Sequence, residues 1–358
     1  MSYTPSLFQG SLMLPTSLPA PRLIDPNSVP SLRWGIIGPG GIAATFADSV
    51  HKHTAQRIVA VASQTPGKAE AFATPRGIPF ALTSYQELVS HPEVDVVYVA
   101  TTHEFHKQHA LLAIAAGKHV LVEKPLATNP TDAQEVLDAA RNAGVLAMEA
   151  MWTRYIPQSD VMRQLLSDGV LGEIRCVVSD FGQDLRHVPR LIDPVSGGGL
   201  LDLGIYNFAF SSFVLGEASE VATVGSLTST GVDETTTTFL SYASGAQAVA
   251  TVTMAAFTPT AASISGTEGR LNIHEPFFTP SGLTLFASEF NPTPVASWRD
   301  ETGVPAHEGL SYQATALASF IDQGLTDSPL RPLHEAVRDI GLILQARHQV
   351  GAYLTGEK

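Results

Sequence analysis

Cysteine is almost missing: Cys176 is the single one in 358 residues. A disulfide framework and a cysteine-built metal site are thereby excluded, and Cys176, inside an apolar strand-like run, is expected to be a small core residue. Long apolar runs are missing too, none approaching the roughly 20 residues that span a bilayer. The start of the chain lacks both an unbroken apolar stretch and any basic residue before Arg22, so a secretory signal is not expected and the cytoplasm is the expected location. Positive charge is scarce, with 21 Lys and Arg against 34 Asp and Glu and a net charge of −13. That balance argues against nucleic acid or an anionic membrane surface as a partner. What is present is a 44% hydrophobic composition, enough for a sizeable core in a chain whose length suits two domains.

Three segments are expected. Residues 1–30 carry Pro5, Pro15, Pro19, Pro21, Pro26 and Pro30 and read as an extended arm, half ordered. Residues 31–150 alternate apolar strands (32–37, 57–62, 94–100, 119–122) with helical segments (42–51, 68–73, 105–116, 131–143). The spacing predicts a doubly wound parallel sheet of the Rossmann type, in an α/β chain. Ser84 with Glu87 has the spacing of a capping box. Residues 151–358 read as an α+β domain for substrate binding and oligomerisation. Helices are expected over 158–167, 313–323 and 333–353, and strands over 174–181, 235–242 and 248–257 in a large, mostly antiparallel sheet with one open face.

Gly38-x-Gly40-x-x-Ala43 fits the dinucleotide fingerprint, placed between the first strand and the first helix. One glycine makes the tight turn, the next admits the pyrophosphate, and the third position must be small for helix–strand packing. Phosphate charge is favoured at the helix N-terminus beyond. After the second strand, where Asp or Glu would hold a ribose hydroxyl and repel a 2′-phosphate, the chain has Ser63-Gln64-Thr65, with Lys68 following. A hydroxyl and one cation can receive that phosphate, so NADP is the expected cofactor, with NAD as the alternative. Lys124 ends a strand, where ligands of such sheets bind. Asp202 and Tyr206, four apart, share one face if helical; a core tyrosine with a satisfied hydroxyl is the bland alternative. His103, His106 and His109 do not have metal-ligand spacing, so no metal is expected and His103 is taken as a pocket residue.

With Ala115-Ala116-Gly117-Lys118-His119-Val120-Leu121-Val122-Glu123-Lys124-Pro125 and Asp202-x-Gly204-x-Tyr206 added to the Gly38 loop, the chain resembles the glucose–fructose oxidoreductase/inositol dehydrogenase (Gfo/Idh/MocA) family. Residues 149–154, 181–190 and 199–206 resemble its dihydrodiol and D-xylose dehydrogenase branch. The resemblance implies hydride transfer between a nicotinamide and a hydroxyl-bearing carbon of a sugar or vicinal diol, in a homodimer or higher homo-oligomer. It implies Lys124 and Tyr206 as the catalytic pair, supported by Asp202. The dinucleotide would be held by Gly38, Gly40, Gly41, Ile42, Ser63, Gln64, Lys68, Thr101, Thr102, His103, Glu123 and Lys124. The substrate would meet Trp152, Arg154, Phe181 and Phe277 beside Asp202 and Tyr206. Many other members carry His in place of Tyr206, a substitution typical of the dihydrodiol and glucose–fructose branches. The chain departs from its branch at Gln64, where the branch usually has Arg, and the branch's many substrates leave the substrate's identity open.

A free phenol has a pKa near 10, and bringing it to neutrality takes roughly 4 kcal/mol of preferential phenolate stabilisation. An ammonium within about 4–6 Å supplies part of that, so Lys124 is read as the activator of Tyr206. Two other classes stay open: a non-catalytic regulator that senses dinucleotide and sugar, and a glycosidase-like enzyme that oxidises transiently with tightly bound NAD.

Overall fold

The computed structural model describes residues 14–289 and 293–357, so Pro5 and the first thirteen residues of the arm lie outside the described residues. The chain from Arg33 builds β1 (Arg33–Ile37), α1 (Gly41–His53), β2 (Arg57–Ala62), α2 (Lys68–Ala73), β3 (Phe80–Leu82), α3 (Tyr85–Ser90), β4 (Val96–Val99), α4 (His106–Ala115), β5 (His119–Val122), α5 (Pro130–Ala143) and β6 (Ala147–Glu149). These strands form one parallel sheet in the order β3-β2-β1-β4-β5-β6. Ile36, Val97, Tyr98 and Leu121 are fully buried, as strands covered on both faces require. Ser84 Oγ accepts from the Glu87 amide and Asn129 Oδ1 from the Asp132 amide, side-chain caps that start α3 and α5. Strand order reverses between β1 and β4, and the crevice of such a sheet opens beyond that switch point.

A second unit follows: α6 (Pro157–Ser167), β7 (Ile174–Gly182), a π-helical turn (Leu200–Gly204) running into α7 (Ile205–Leu215), then β8 (Glu220–Leu227), β9 (Asp233–Ser241), β10 (Gln247–Thr253), β11 (Ala262–Gly266), β12 (Gly269–Ile273), β13 (Gly282–Ala287), β14 (Pro294–Arg299), α8 (Leu310–Asp322) and α9 (Leu333–Gln349). Its strands form an eight-stranded sheet, order β14-β13-β12-β11-β7-β10-β9-β8. All pairs are antiparallel except β7 with β10. One face is buried through Val177, Ala248 and Leu240. On the other, Val178, Val249, Phe239 and Ala222 align across four strands, and Val178 and Phe239 are exposed.

Several boundaries differ from the sequence reading. The strand expected to reach residue 257 ends at Thr253, because the next residues pair with the loop after β7 (Leu185 N to Met254 O, 2.8 Å; Thr258 N to Gly182 O, 3.2 Å). The last helix stops at Gln349, whose amide turns to β8, accepting from Thr223 N at 2.7 Å and donating to Val221 O at 2.9 Å. Strands β3, β6, β8 and β11 to β14 were not expected. Cys176 lies in β7 half-buried. The described part of the arm lies on its own chain: Arg22 pairs with Asp160 of α6, Gln164 donates to Ala20 O, and Leu14, Leu18 and Ile24 pack against the core. Between the two sheets, fully buried Arg331 joins Glu149 at 2.9 Å to Asp339 of α9 at 2.6 Å, a paired arrangement that avoids an uncompensated buried charge.

Candidate active site

A cavity of about 730 Å³ runs along the carboxyl ends of the parallel strands and onto the π-helical turn of the second unit. Its first part is the loop after β1. Gly38 has φ +91°, and a Cβ there would lie 2.8 Å from Ala100 O, so only glycine lets β1 turn this close to the end of β4. Gly40 and Gly41 present bare backbone to the cavity at the start of α1, and Ile42 lines it as well. Amides at a helix start with open space before them suit a pyrophosphate.

Ser63, Gln64, Thr65 and Lys68 line the stretch beyond β2. Among the described residues the only carboxylates lining the cavity are Glu123 and Asp202. Glu123 follows β5, three strands from β2, or about 14 Å across the sheet. At the β2 end the cavity lining therefore includes a lysine and no acid. Thr101, Thr102 and His103 follow β4 and also line the cavity.

At the far side Lys124 and Asp202 meet. The Lys124 ammonium donates to Asp202 O at 2.7 Å and lies 3.4 Å from Oδ1. Arg190 grips the same carboxylate with both nitrogens, at 2.8 and 3.2 Å, and His103 Nε2 is 3.8 Å from Oδ1. Burial disfavours the Asp202 carboxylate, but Lys124 and Arg190 outweigh it and hold its pKa well below the usual range. Burial likewise opposes the Lys124 ammonium, and Asp202 overcomes it, so Lys124 stays a cation. Burial and the nearby His106 push His103 down to about 3, leaving it neutral. Glu123 is pushed up to about 6 by burial, against the opposing hydrogen bond from the Tyr98 hydroxyl.

Lys124 Nζ also stands 4.9 Å over the centroid of the Tyr206 ring. The Tyr206 oxygen accepts from Trp152 Nε1 at 3.1 Å. Here the structure departs from the sequence reading: burial raises the phenol pKa, and Lys124, which faces the ring and is shared with Asp202, counters it only in part. The π-helical turn brings Asp202 and Tyr206 to one cavity. Gly198 at its start has φ +110°, and a Cβ would fall 2.4 Å from Asp233 Oδ1, the carboxylate that accepts from Leu200 N at 2.6 Å.

Of the expected substrate residues, Phe181 lines the cavity with Asp202 and Tyr206. Trp152 does not: at 2% exposed it stands behind Tyr206 as its hydrogen-bond donor. Arg154 does not reach the cavity either; it is buried, paired with Glu335 and placed over the Phe213 ring. Phe277 is turned inward against Phe210, and its neighbour Phe278 lines the cavity instead, stacked on Phe181 at 4.7 Å. Residues the sequence reading missed are Phe278, Gln183, Ser196, His307 and the Asp202 partner Arg190. The Phe277-Phe278 doublet was a visible signal, but only packing decides which ring faces inward. His106 and His109 turn to Pro125 O, Thr101 O and the Thr101 hydroxyl.

Residues 32–151 match the model of an oxidoreductase family with an NAD-binding Rossmann fold, and residues 160–272 match the GFO/IDH/MocA C-terminal domain. The trans-1,2-dihydrobenzene-1,2-diol dehydrogenase of Bos taurus is 36% identical over 335 residues, covering 92% of this chain and 99% of the relative. That of Homo sapiens is 34% identical with the same coverage. Among solved structures, KijD10, a 3-ketoreductase of Actinomadura kijaniata in complex with TDP-benzene and NADP, superposes with a TM-score of 0.74 at 26% identity, covering 90% of this chain and 98% of its own. A levoglucosan dehydrogenase in complex with NADH and levoglucosan shares the fold, with a TM-score of 0.78 at 20% identity and coverages of 89% and 98%. By its two matched regions and its end-to-end relatives, this chain belongs to the Gfo/Idh/MocA family of NAD(P)-dependent oxidoreductases.

Proposed function

We propose that the protein transfers a hydride between a nicotinamide dinucleotide, preferably NADP, and a hydroxyl-bearing carbon of a sugar or vicinal diol, with Tyr206 as acid/base and Lys124 beside it. One observation carries this reading: the cavity that starts at the bare backbone of Gly40 and Gly41 ends on Tyr206, Lys124 and Asp202. The bound nicotinamide supplies the hydride acceptor or donor; the protein's own task is one proton. In the reductive direction Tyr206 gives its phenol proton to the substrate oxygen, and in the oxidative direction its phenolate takes that proton back. A raised phenol pKa favours the donating role, so oxidation draws on the small phenolate fraction and on the charge of Lys124. Asp202, held ionised by two cations, fixes Lys124 against the phenol ring. Ser63 and Lys68 would receive a 2′-phosphate, with no carboxylate in the cavity lining at that end to repel it.

Dehydrogenase relatives acting on a benzene dihydrodiol and a ketoreductase neighbour bound to NADP support the same reaction class. We further propose that residues 31–150 form the dinucleotide domain and 151–358 the substrate and assembly domain. Cofactor reduction by a panel of aldoses and dihydrodiols, with NAD and NADP in parallel, tests the reading. Turnover of some member is expected. Absence of reduction across the panel contradicts it, and release of an aglycone without net reduction would favour transient oxidation.

A further inference from the structure

The cavity lining holds a polar ring that the proton chemistry above does not use. His307 lines the cavity among aromatic side chains, stacked on Trp152 (5.4 Å between centroids, 29° between planes) and edge-on to Phe278 at 5.9 Å. Two aromatic neighbours fix the imidazole plane, and Trp152 is the residue that bonds the Tyr206 oxygen, so His307 sits one ring away from the reacting proton. Among the described residues no group hydrogen-bonds its ring nitrogens.

The backbone holding His307 is unusual. Ala306 has φ +49°, a left-handed conformation that costs a non-glycine residue of order 1–3 kcal/mol and persists only where its surroundings over-determine it. They do so here through Glu308. Its carboxylate bonds Lys52 at 2.8 Å and His53 at 2.6 Å, and its carbonyl accepts from Ser49 and Ser311. Lys52, His53 and Ser49 all belong to α1, the helix that begins at the dinucleotide loop. Burial and then Lys124 lower the His307 pKa, which keeps the ring neutral, with one N–H donor and one acceptor. A hydroxyl group offers the complementary pair.

We propose that His307 is a specificity-determining residue, hydrogen-bonding a substrate hydroxyl on a carbon other than the one oxidised, so that polyhydroxylated rings are preferred over diols whose far side is bare hydrocarbon. This rests on the oxidoreductase reading above and narrows its substrate class. A sugar ring can lay its C–H face on Phe181 and Phe278 while a distal hydroxyl meets the imidazole. A benzene dihydrodiol has no group to offer there and leaves the ring nitrogens unpaired, the situation by which a polar site discriminates against an analogue lacking the hydroxyl.

The test measures kcat/KM of wild type, His307→Phe and His307→Gln for the best aldopyranose and for trans-dihydrobenzenediol. Phenylalanine keeps the stacking and removes the hydrogen bond. The ratio of pyranose to dihydrodiol activity is expected to fall about three- to tenfold in His307→Phe, the range of one neutral hydrogen bond, with the dihydrodiol constant changing less than about twofold by the same measure. His307→Gln, which retains a donor and an acceptor, should keep more of the wild-type ratio than His307→Phe, and it carries the test should the Phe variant not fold. Wild-type turnover of both substrates with an unmoved ratio in the variants, or equal loss on both, overturns the role of His307 alone. Wild type inactive on both substrates with either cofactor overturns the oxidoreductase reading and this inference together.

Discussion

The indole N–H of Trp152 donates to the phenol oxygen of Tyr206 at 3.1 Å, both groups buried. A donor on that oxygen favours phenolate, and it opposes the burial that raises the Tyr206 pKa. Trp152→Phe removes the donor and keeps a ring. Alcohol oxidation in the variant is expected to fall about three- to tenfold at neutral pH, one hydrogen bond's worth. Its pH–rate profile should move to higher pH, because oxidation needs phenolate and its pKa rises further. A steady-state profile in the oxidative direction checks this; an unshifted profile would assign Trp152 to packing.

At the β2 end Lys68 lines the cavity and no carboxylate does. Lys68→Ala should weaken NADP roughly ten- to a hundredfold, since a charge-assisted hydrogen bond contributes about 1.5–3 kcal/mol, while NAD changes little. Titrations of both dinucleotides decide it, and an equal loss for both would remove Lys68 from phosphate recognition.

The outer face of the eight-stranded sheet exposes Val178, Val224 and Phe239, and apolar area of this kind gains from cover. We expect at least a dimer across it, so light scattering at micromolar protein should give a mass above 38.0 kDa, reduced by Val224→Asp. A monomer mass for wild type would contradict the assembly. Deletion of residues 1–30 should lower thermal stability, because Leu14, Leu18 and Ile24 pack on the core and Arg22 holds Asp160.

Much of this was legible before the fold. Strands of a parallel sheet are buried on both faces and read as apolar runs, so β1, β2, β4 and β5 stood out, and the glycine loop and Lys124-Pro125 lay at their ends. Strands β11 to β14 did not stand out: Ser263, Asn272, Thr284 and Ser297 mark their polar face, and five- or six-residue strands of mixed pattern resemble loops. The resemblance put Arg154 at the substrate; its pairing with Glu335, 181 positions away, spans a distance that no local pattern covers. His307 escaped notice for a related reason: a turn pinned to α1, not a periodic element, brings it to the cavity. The spacing of Asp202 and Tyr206 was visible; the sharing of Asp202 among Lys124, Arg190 and His103 was not.

The proposed proton route runs through Tyr206, and Tyr206→Phe tests it most directly. The variant keeps the ring packed against Phe181 and Phe278 and loses only the hydroxyl. Because a positioned acid/base group contributes about 10²–10⁴-fold, turnover on the best substrate should fall at least about a hundredfold, with dinucleotide affinity little changed. Retention of more than about a tenth of wild-type turnover, far above that range, would contradict the account and send the proton by another route, with His103 the next group to test.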